Sequence, residues 1–141
     1  MIDFDTRAIQ DSDKNFIFST WLKSHRATQD NKRMVNSVYY TNFSEIVTNI
    51  LTTCSVKVAC EPGDNDHIYG YIAYRYIDEM PVVHFVYVKQ TYRRLGIMDH
   101  LITSLVKDKD IPVVCTFTSE VYDKIKQRYG LFYNPFMRGE K

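Results

Sequence analysis

The sequence predicts a mixed α/β fold in which an antiparallel meander joins a parallel strand–helix–strand crossover. One central sheet would then carry helices on both faces. Three observations predict it. Apolar and polar residues alternate with a period of two through the middle third, at Val56, Val58 and Cys60 and again from Ile68 to Ile77. The stretch from Val82 to Val106 reads as a buried strand, a short basic turn with one glycine, and an amphipathic helix. A further strand from Pro112 to Thr118 follows that helix, which makes a parallel crossover, expected to be right-handed. With 141 residues, 45% of them apolar, the chain is long enough to bury a core, and a single domain over 1–141 is expected.

Taken in order, Ile2, Phe4, Thr6 and Ala8 alternate with polar residues and suggest a first strand. Asp11, Ser12 and Asp13 offer helix caps, and Ile17, Phe18, Trp21 and Leu22 then share one helical face up to about His25. The polar segment from Arg26 to Asn36 reads as a loop. Asn42 with Glu45 resembles a capping box, ahead of a helical stripe of Phe43, Ile46, Val47, Ile50 and Leu51. The turn from Glu61 to Asp66 separates two strands, and the turn from Asp78 to Pro81 leads into the next. After the glycine, Ile97, Met98, Leu101, Ile102, Leu105 and Val106 form a broad apolar helical face. Ser119 caps a short helix that ends at Gly130, and Leu131 to Phe136 is a last strand cut by Pro135. The order is β α α β β β α β α β.

A net charge of +1 gives no global attraction to nucleic acid or to an anionic membrane. Arg93, Arg94, Lys124, Lys126 and Arg128 offer only a local basic patch, so nucleic acid is not the expected partner. Four aspartates and no apolar run open the chain, and nothing approaches the roughly 18 apolar residues of a membrane span. Cys54, Cys60 and Cys115 are an odd number at no metal-like spacing. A reducing cytoplasm is the expected location. No histidine–carboxylate spacing marks a metal site, so no metal is expected. Tyr69, Tyr71, Tyr74 and Tyr76 fall on alternating strand positions, which explains half of them as sheet packing rather than a stacking platform for bases.

The turn carries the functional signal. A strand that opens into a helix through a glycine suits an anion, because the first amides of a helix lack partners within it. That points to the diphosphate of a nucleotide-like cofactor. Val88, Lys89, Gln90, Thr91, Tyr92, Arg93, Arg94, Leu95, Gly96, Ile97 and Met98 stand in order here. This run resembles the signature Val-x-x-x-x-(Arg/Gln)-x-x-Gly-x-(Gly/Ala) of the GNAT acetyltransferase superfamily. The element order over essentially the whole chain is similar as well, and so are short members of the family encoded by tailed phages, which would act in the host cytoplasm.

The resemblance implies that acetyl-CoA is the co-substrate. The amides of Arg94, Leu95, Gly96, Ile97 and Met98 would hold its diphosphate, with Arg93 and Arg94 adding positive charge. Gly96 would let the backbone approach without a Cβ in the way. The pantetheine arm would pair with the strand end at Val86, Tyr87 and Val88. Met98 departs from the Gly or Ala of the motif; it either crowds the phosphates or points into the core beside Ile102 and Val106.

Acetyl transfer to an amine needs the neutral amine, which for a lysine-like group is about one part in a thousand at pH 7. His84, in an otherwise apolar strand, is the candidate base, since histidine titrates closest to neutrality. Some family members, the arylalkylamine acetyltransferases, are similar in carrying a catalytic histidine nine residues before the motif arginine, where His84 stands. A buried histidine with a satisfied hydrogen bond is the alternative. The family's thiolate-protonating tyrosine lies four residues before the glycine closing the last helix, and that position is Lys126 here. Tyr122, one turn back on the same face, is the candidate acid, with Tyr129 as the other option. Ser119 matches an asparagine that contacts the pantetheine arm in the family, or is a plain helix cap.

An acceptor would enter between the first two helices and the last hairpin, where Trp21, Tyr39, Tyr40 and Phe43 would wall a cleft. Glu61, Asp64 and Asp66 could draw in a cation. Whether the amine belongs to a small molecule or a protein is left open, as is the choice between monomer and homodimer. The expected function is direct acetyl transfer to a primary amine. The alternative, to which Met98 and Lys126 point, is a non-catalytic protein of this fold that binds CoA or a protein partner.

Overall fold

A computed structural model describes residues 2–27, 33–117 and 120–138. Ten elements run in the predicted order: β1 (Asp5–Ala8), α1 (Lys14–Arg26), α2 (Asn36–Thr53), β2 (Ser55–Glu61), β3 (Asp64–Ile77), β4 (Met80–Val88), α3 (Ile97–Thr103), β5 (Val113–Cys115), α4 (Glu120–Tyr129) and β6 (Leu131–Tyr133). They form one six-stranded sheet whose spatial order follows the chain from β1 to β6. The β1–β4 pairs are antiparallel, and β4–β5 and β5–β6 are parallel.

Both faces of the sheet are covered. Ile17, Trp21 and Leu22 of α1 and Tyr39, Phe43, Val47 and Ile50 of α2 pack on Val56, Val58, Tyr71 and Ala73. On the other face, Ile97, Leu101 and Ile102 of α3 pack with Leu105 on Ala59, Ile72, Val83 and Val88, beside Tyr122 and Ile125 of α4. Burial of these apolar side chains supplies most of the drive to fold, at roughly 1.5–3 kcal/mol for each large one.

The second helix begins earlier than expected. It runs from Asn36, so Asn42 is an interior residue whose Nδ2 donates to the Val38 carbonyl at 2.7 Å rather than a cap. Tyr39 explains the difference, because it is buried in the first turn and its hydroxyl donates to the Leu22 carbonyl of α1. A tertiary contact thus decides a boundary that local capping residues misplace. The last strand is also shorter than expected, ending at Tyr133 before a 3-10 turn over Pro135–Arg138.

Two irregularities shape β3 and β4. The β3–β4 register runs Ala73 with Phe85 and then Tyr74 with Val83, which leaves His84 as the extra residue of a bulge. Phe85 and Tyr87 then face the α1–α2 side, while Val83, Val86 and Val88 face α3. The strict alternation is therefore broken between Val83 and Phe85. Where β3 and β4 meet near the turn, Gly70 is required by close approach. A Cβ there would collide with the Tyr87 carbonyl oxygen and lie 3.1 Å from Val88 Cα. Gly70→Ala is expected to cost about 1–3 kcal/mol through overpacking, read as a lower urea midpoint with unchanged slope.

A half-buried ion pair ties β1 to Asp13, the cap of α1. Arg7 Nη1 and Nη2 donate to Asp13 Oδ2 and Oδ1 at 2.6 and 2.9 Å, and the Gln10 amide donates to Oδ2 at 2.7 Å. Burial raises the Asp13 carboxyl, but Arg7 and the Gln10 amide outweigh that and hold it below the usual carboxylate range. A depressed folded value means stability that is present above the unfolded value and lost as pH falls through the folded one. Unfolding stability should drop as pH falls below about 4, and Asp13→Asn should flatten that slope. At neutral pH, Asp13→Ala should cost about 1.5–3 kcal/mol through the lost charge-assisted hydrogen bonds, since Arg7 keeps the Ala8 and Asn65 carbonyls. Parallel stability–pH curves for wild type and Asp13→Asn would remove Asp13 as the cause.

Candidate active site

The sheet opens where β4 and β5 part. Their pairing covers only Val82 with Val114 and Val83 with Cys115, and the last rung is the Thr116 amide donating to the Val83 carbonyl at 3.1 Å. Pairing of β4 with β3 continues to Val88. From His84 to Val88 the other edge of β4 thus has no strand partner among the described residues. In this register the backbone groups of Tyr87 turn to β3 and those of Val86 and Val88 turn to the fork, which can take an extended ligand as an added strand.

The turn follows at once. The Lys89 amide still bonds to β3, at the Tyr69 carbonyl, and Gln90–Tyr92 forms a single 3-10 turn. Arg93 Nε donates to the Val88 carbonyl at 2.8 Å, folding the turn back on the end of β4. Arg94 has φ of 66° and Gly96 a φ of 89°, with Leu95 between them on the negative side. Alternation of this kind turns successive amides toward one point, forming an anion-binding concavity. Among the described residues, no group accepts a hydrogen bond from the amides of Arg94, Leu95, Gly96, Ile97 or Met98. Five adjacent donors without an acceptor among the described residues, next to two exposed arginines, fit a diphosphate.

Met98 is half-buried and packs against the cluster beneath α3 that holds Ile102. Its side chain takes the core-facing alternative, and the departure from the motif leaves its amide available. Ser119 lies outside the described residues.

His84 is 2% exposed at the mouth of the fork, with Nδ1 2.7 Å from Thr116 Oγ1. Its bulge position takes it out of the sheet alternation, which is how bulges re-aim side chains beside active sites. Phe85, the next residue, stacks on Trp21 with centroids 5.0 Å apart. Tyr122 is half-buried against the α3-side cluster, with its ring 6.3 Å from Tyr133. Burial pushes its phenol above the ordinary value, and Cys115, Asp123 and Tyr133 add to the rise, so at neutral pH it holds a proton to give. Tyr129 is committed elsewhere: its hydroxyl donates to Asp99 Oδ1 at 2.8 Å, and burial and that carboxylate push its phenol up to about 12. Lys126 pairs with Asp123 at 3.6 Å.

The acceptor side differs from expectation. Trp21, Tyr39 and Phe43 are core residues, so of the four aromatic side chains expected to wall a cleft only Tyr40 is exposed. His25 instead stacks on Phe43 with centroids 4.0 Å apart and meets the edge of Phe117 at 5.3 Å. Phe117 directly follows Thr116, so this aromatic cluster adjoins the fork. The acidic turn has its own partner. His67 Nδ1 lies 3.0 Å from Glu61 Oε1, and His67 Nε2 lies 2.9 Å from the Tyr92 hydroxyl. Ligand atoms of Glu61, Asp64 and His67 come within 4.8 Å of one another, a grouping the sequence spacing does not suggest, but both ring nitrogens of His67 are already hydrogen-bonded. Sequence reasoning does not single out Thr116, the residue beside His84 at the fork. Its only signal there is a hydroxyl inside the apolar run Val113 to Phe117.

Against known proteins, residues 25–109 match the model of the acetyltransferase (GNAT) family. No curated protein matches the chain. Among solved structures, a candidate acetyl transferase of Pyrococcus furiosus superposes with a TM-score of 0.66 at 13% identity, covering 91% of this chain and 92% of that one. A predicted acetyltransferase of Clostridium acetobutylicum, determined with acetyl-CoA, gives 0.54 at 17% identity, covering 91% and 89%. AAC(6')-Iy in complex with the bisubstrate analogue CoA-S-monomethyl-acetylneamine gives 0.50 at 13% identity, covering 92% and 91%. At these identities the structures speak for a shared fold.

Proposed function

This chain belongs to the acetyltransferase (GNAT) family, and from that premise we propose that it moves the acetyl group of acetyl-CoA directly to a primary amine. The reading is carried by one observation, the five amides from Arg94 to Met98 that have no acceptor among the described residues. Two of the similar structures support it further, one holding acetyl-CoA and one an analogue that joins CoA to acetylneamine.

Acetyl-CoA supplies an activated thioester. The chain's own residues do the rest. The amides of Arg94, Leu95, Gly96, Ile97 and Met98 hold the diphosphate, with Arg93 and Arg94 contributing charge and the negative φ–positive φ alternation fixing the geometry. The open edge of β4 at Val86, Tyr87 and Val88 aligns the pantetheine arm. His84 takes a proton from the entering ammonium, so that a neutral amine forms the C–N bond as the C–S bond breaks. Tyr122 gives its proton to the departing thiolate and is restored by the second proton that the new amide nitrogen sheds. Met98 in the core removes the steric objection to binding, and Tyr122 supplies the acid that Lys126 does not.

Thermal unfolding with and without acetyl-CoA tests the first half, and mass-spectrometric detection of acetylated products from a panel of small amines and lysine peptides tests the second. A rise in melting temperature with product on at least one amine is expected. An unchanged melting temperature at millimolar acetyl-CoA would refute the reading.

A further inference from the structure

We propose that Tyr92 and His67 are positioning residues that tie the anion-binding turn to β3 and keep its amides in place before acetyl-CoA arrives. The inference rests on the reading of that turn as the diphosphate site and deepens it by naming what holds the turn in shape.

The turn needs such a tie. Among the described residues, no backbone hydrogen bond joins Arg93, Arg94, Leu95 or Gly96 to the sheet. The bond from Arg93 Nε to the Val88 carbonyl reaches only to the end of β4, the strand that the turn itself leaves. Arg94, at φ of 66°, sits in a region that an ordinary residue enters at a cost. The shape that converges the amides therefore has to be supported from outside. Tyr92, the last residue of the 3-10 turn, supplies that support from partners distant in the chain. Its ring stacks on Tyr69 of β3 with centroids 4.1 Å apart, and its hydroxyl lies 2.9 Å from His67 Nε2. His67 meets the Tyr69 and Tyr92 rings edge-on at 5.2 and 5.7 Å.

A hydroxyl donates as readily as it accepts, so the direction of the Tyr92 bond is set by the other side of the imidazole. His67 Nδ1 lies 3.0 Å from Glu61 Oε1, and an ionised carboxylate only accepts. Nδ1 therefore carries a proton. In a neutral His67 the free lone pair is then on Nε2, and the Tyr92 hydroxyl donates to it. In a charged His67 the Nε2 proton goes to the same hydroxyl oxygen, so the tie survives in either state. Glu61 ends β2 and His67 lies in β3, so the bonds run from the β2–β3 hairpin to the residue before Arg93. A turn already held in its binding shape loses less freedom when a ligand docks, and the difference appears as affinity.

The test uses the whole protein and reads Kd for acetyl-CoA by calorimetry, with no amine present. Tyr92→Phe keeps the stacked ring and removes only the hydroxyl, and His67→Ala removes its partner. Each should raise Kd by about three- to tenfold, the scale that one hydrogen bond supports. The double variant should bind about as well as His67→Ala, because both changes remove the same bond. With an amine that is turned over, the loss should fall on KM for acetyl-CoA rather than on kcat. Spectra of the wild type with 15N-labelled imidazoles should show His67 protonated at Nδ1. An unchanged Kd in Tyr92→Phe, or two changes whose effects add in full, would overturn the proposal. So would a His67 whose only proton is on Nε2, an outcome that needs no variant to fold. If the wild type binds no acetyl-CoA, the reading of the turn fails and takes the tie with it. If Gly96→Asp abolishes binding while Tyr92→Phe binds as the wild type does, only the tie fails.

Discussion

Gly96→Asp is expected to abolish the thermal stabilisation that acetyl-CoA gives the wild type. A ligand at a hundred times its Kd contributes roughly 2.7 kcal/mol to the stability of the folded state, which for a chain of this size is a shift of several degrees. Aspartate would act at the centre of the five amides that have no acceptor among the described residues, where Gly96 has φ of 89°. It adds a carboxylate facing the position of the phosphates and supplies an acceptor for amides that the diphosphate would otherwise use. Backbone strain accompanies the charge, since left-handed φ costs an ordinary L-residue about 1–2 kcal/mol. Gly96→Asn separates the two effects. Asparagine has nearly the same shape, tolerates left-handed φ and carries no charge, so it should retain part of the stabilisation. Equal loss in both variants would assign the effect to shape rather than to charge.

His84→Gln should lower kcat by roughly 10²–10⁴-fold, the range typical of a general base, with little change in the binding of acetyl-CoA. The amides that hold the diphosphate belong to the turn and α3, whereas His84 sits at the bulge of β4. The sign of the pH dependence follows from the chemistry. Only a neutral imidazole accepts a proton, so wild-type kcat should fall at acid pH, and that acid limb should vanish in the variant. A variant that keeps both the rate and the acid limb would show that proton removal occurs elsewhere.

The turn was the most legible part of the chain, because its signal is local. The strand from Val82, the glycine and the apolar face from Ile97 lie within one continuous stretch, and the amides follow from that order alone. The parallel crossover was legible for the same reason. Features that depend on register were not. Nothing in the run from Val82 to Val88 marks His84 as an extra residue, since a bulge is set by how β3 pairs with β4. The beginning of α2 at Asn36 was hidden because Tyr39 reaches across to Leu22 of α1. Helical position alone favours Tyr122 over Tyr129 in α4, and the bond of Tyr129 to Asp99 of α3, invisible in the sequence, separates them further. Trp21, Tyr39 and Phe43 read as cleft walls from their aromaticity, whereas the packing of α1 on α2 encloses them in the core. What the sequence left open were contacts between elements distant in the chain.

The most direct test of the account is a crystal structure of the protein with acetyl-CoA. The account predicts the diphosphate on the amides of Arg94 to Met98, the pantetheine arm along the open edge of β4 at Val86 to Val88, and the thioester beside His84. A diphosphate bound away from that turn, or a thioester out of reach of His84, would contradict it.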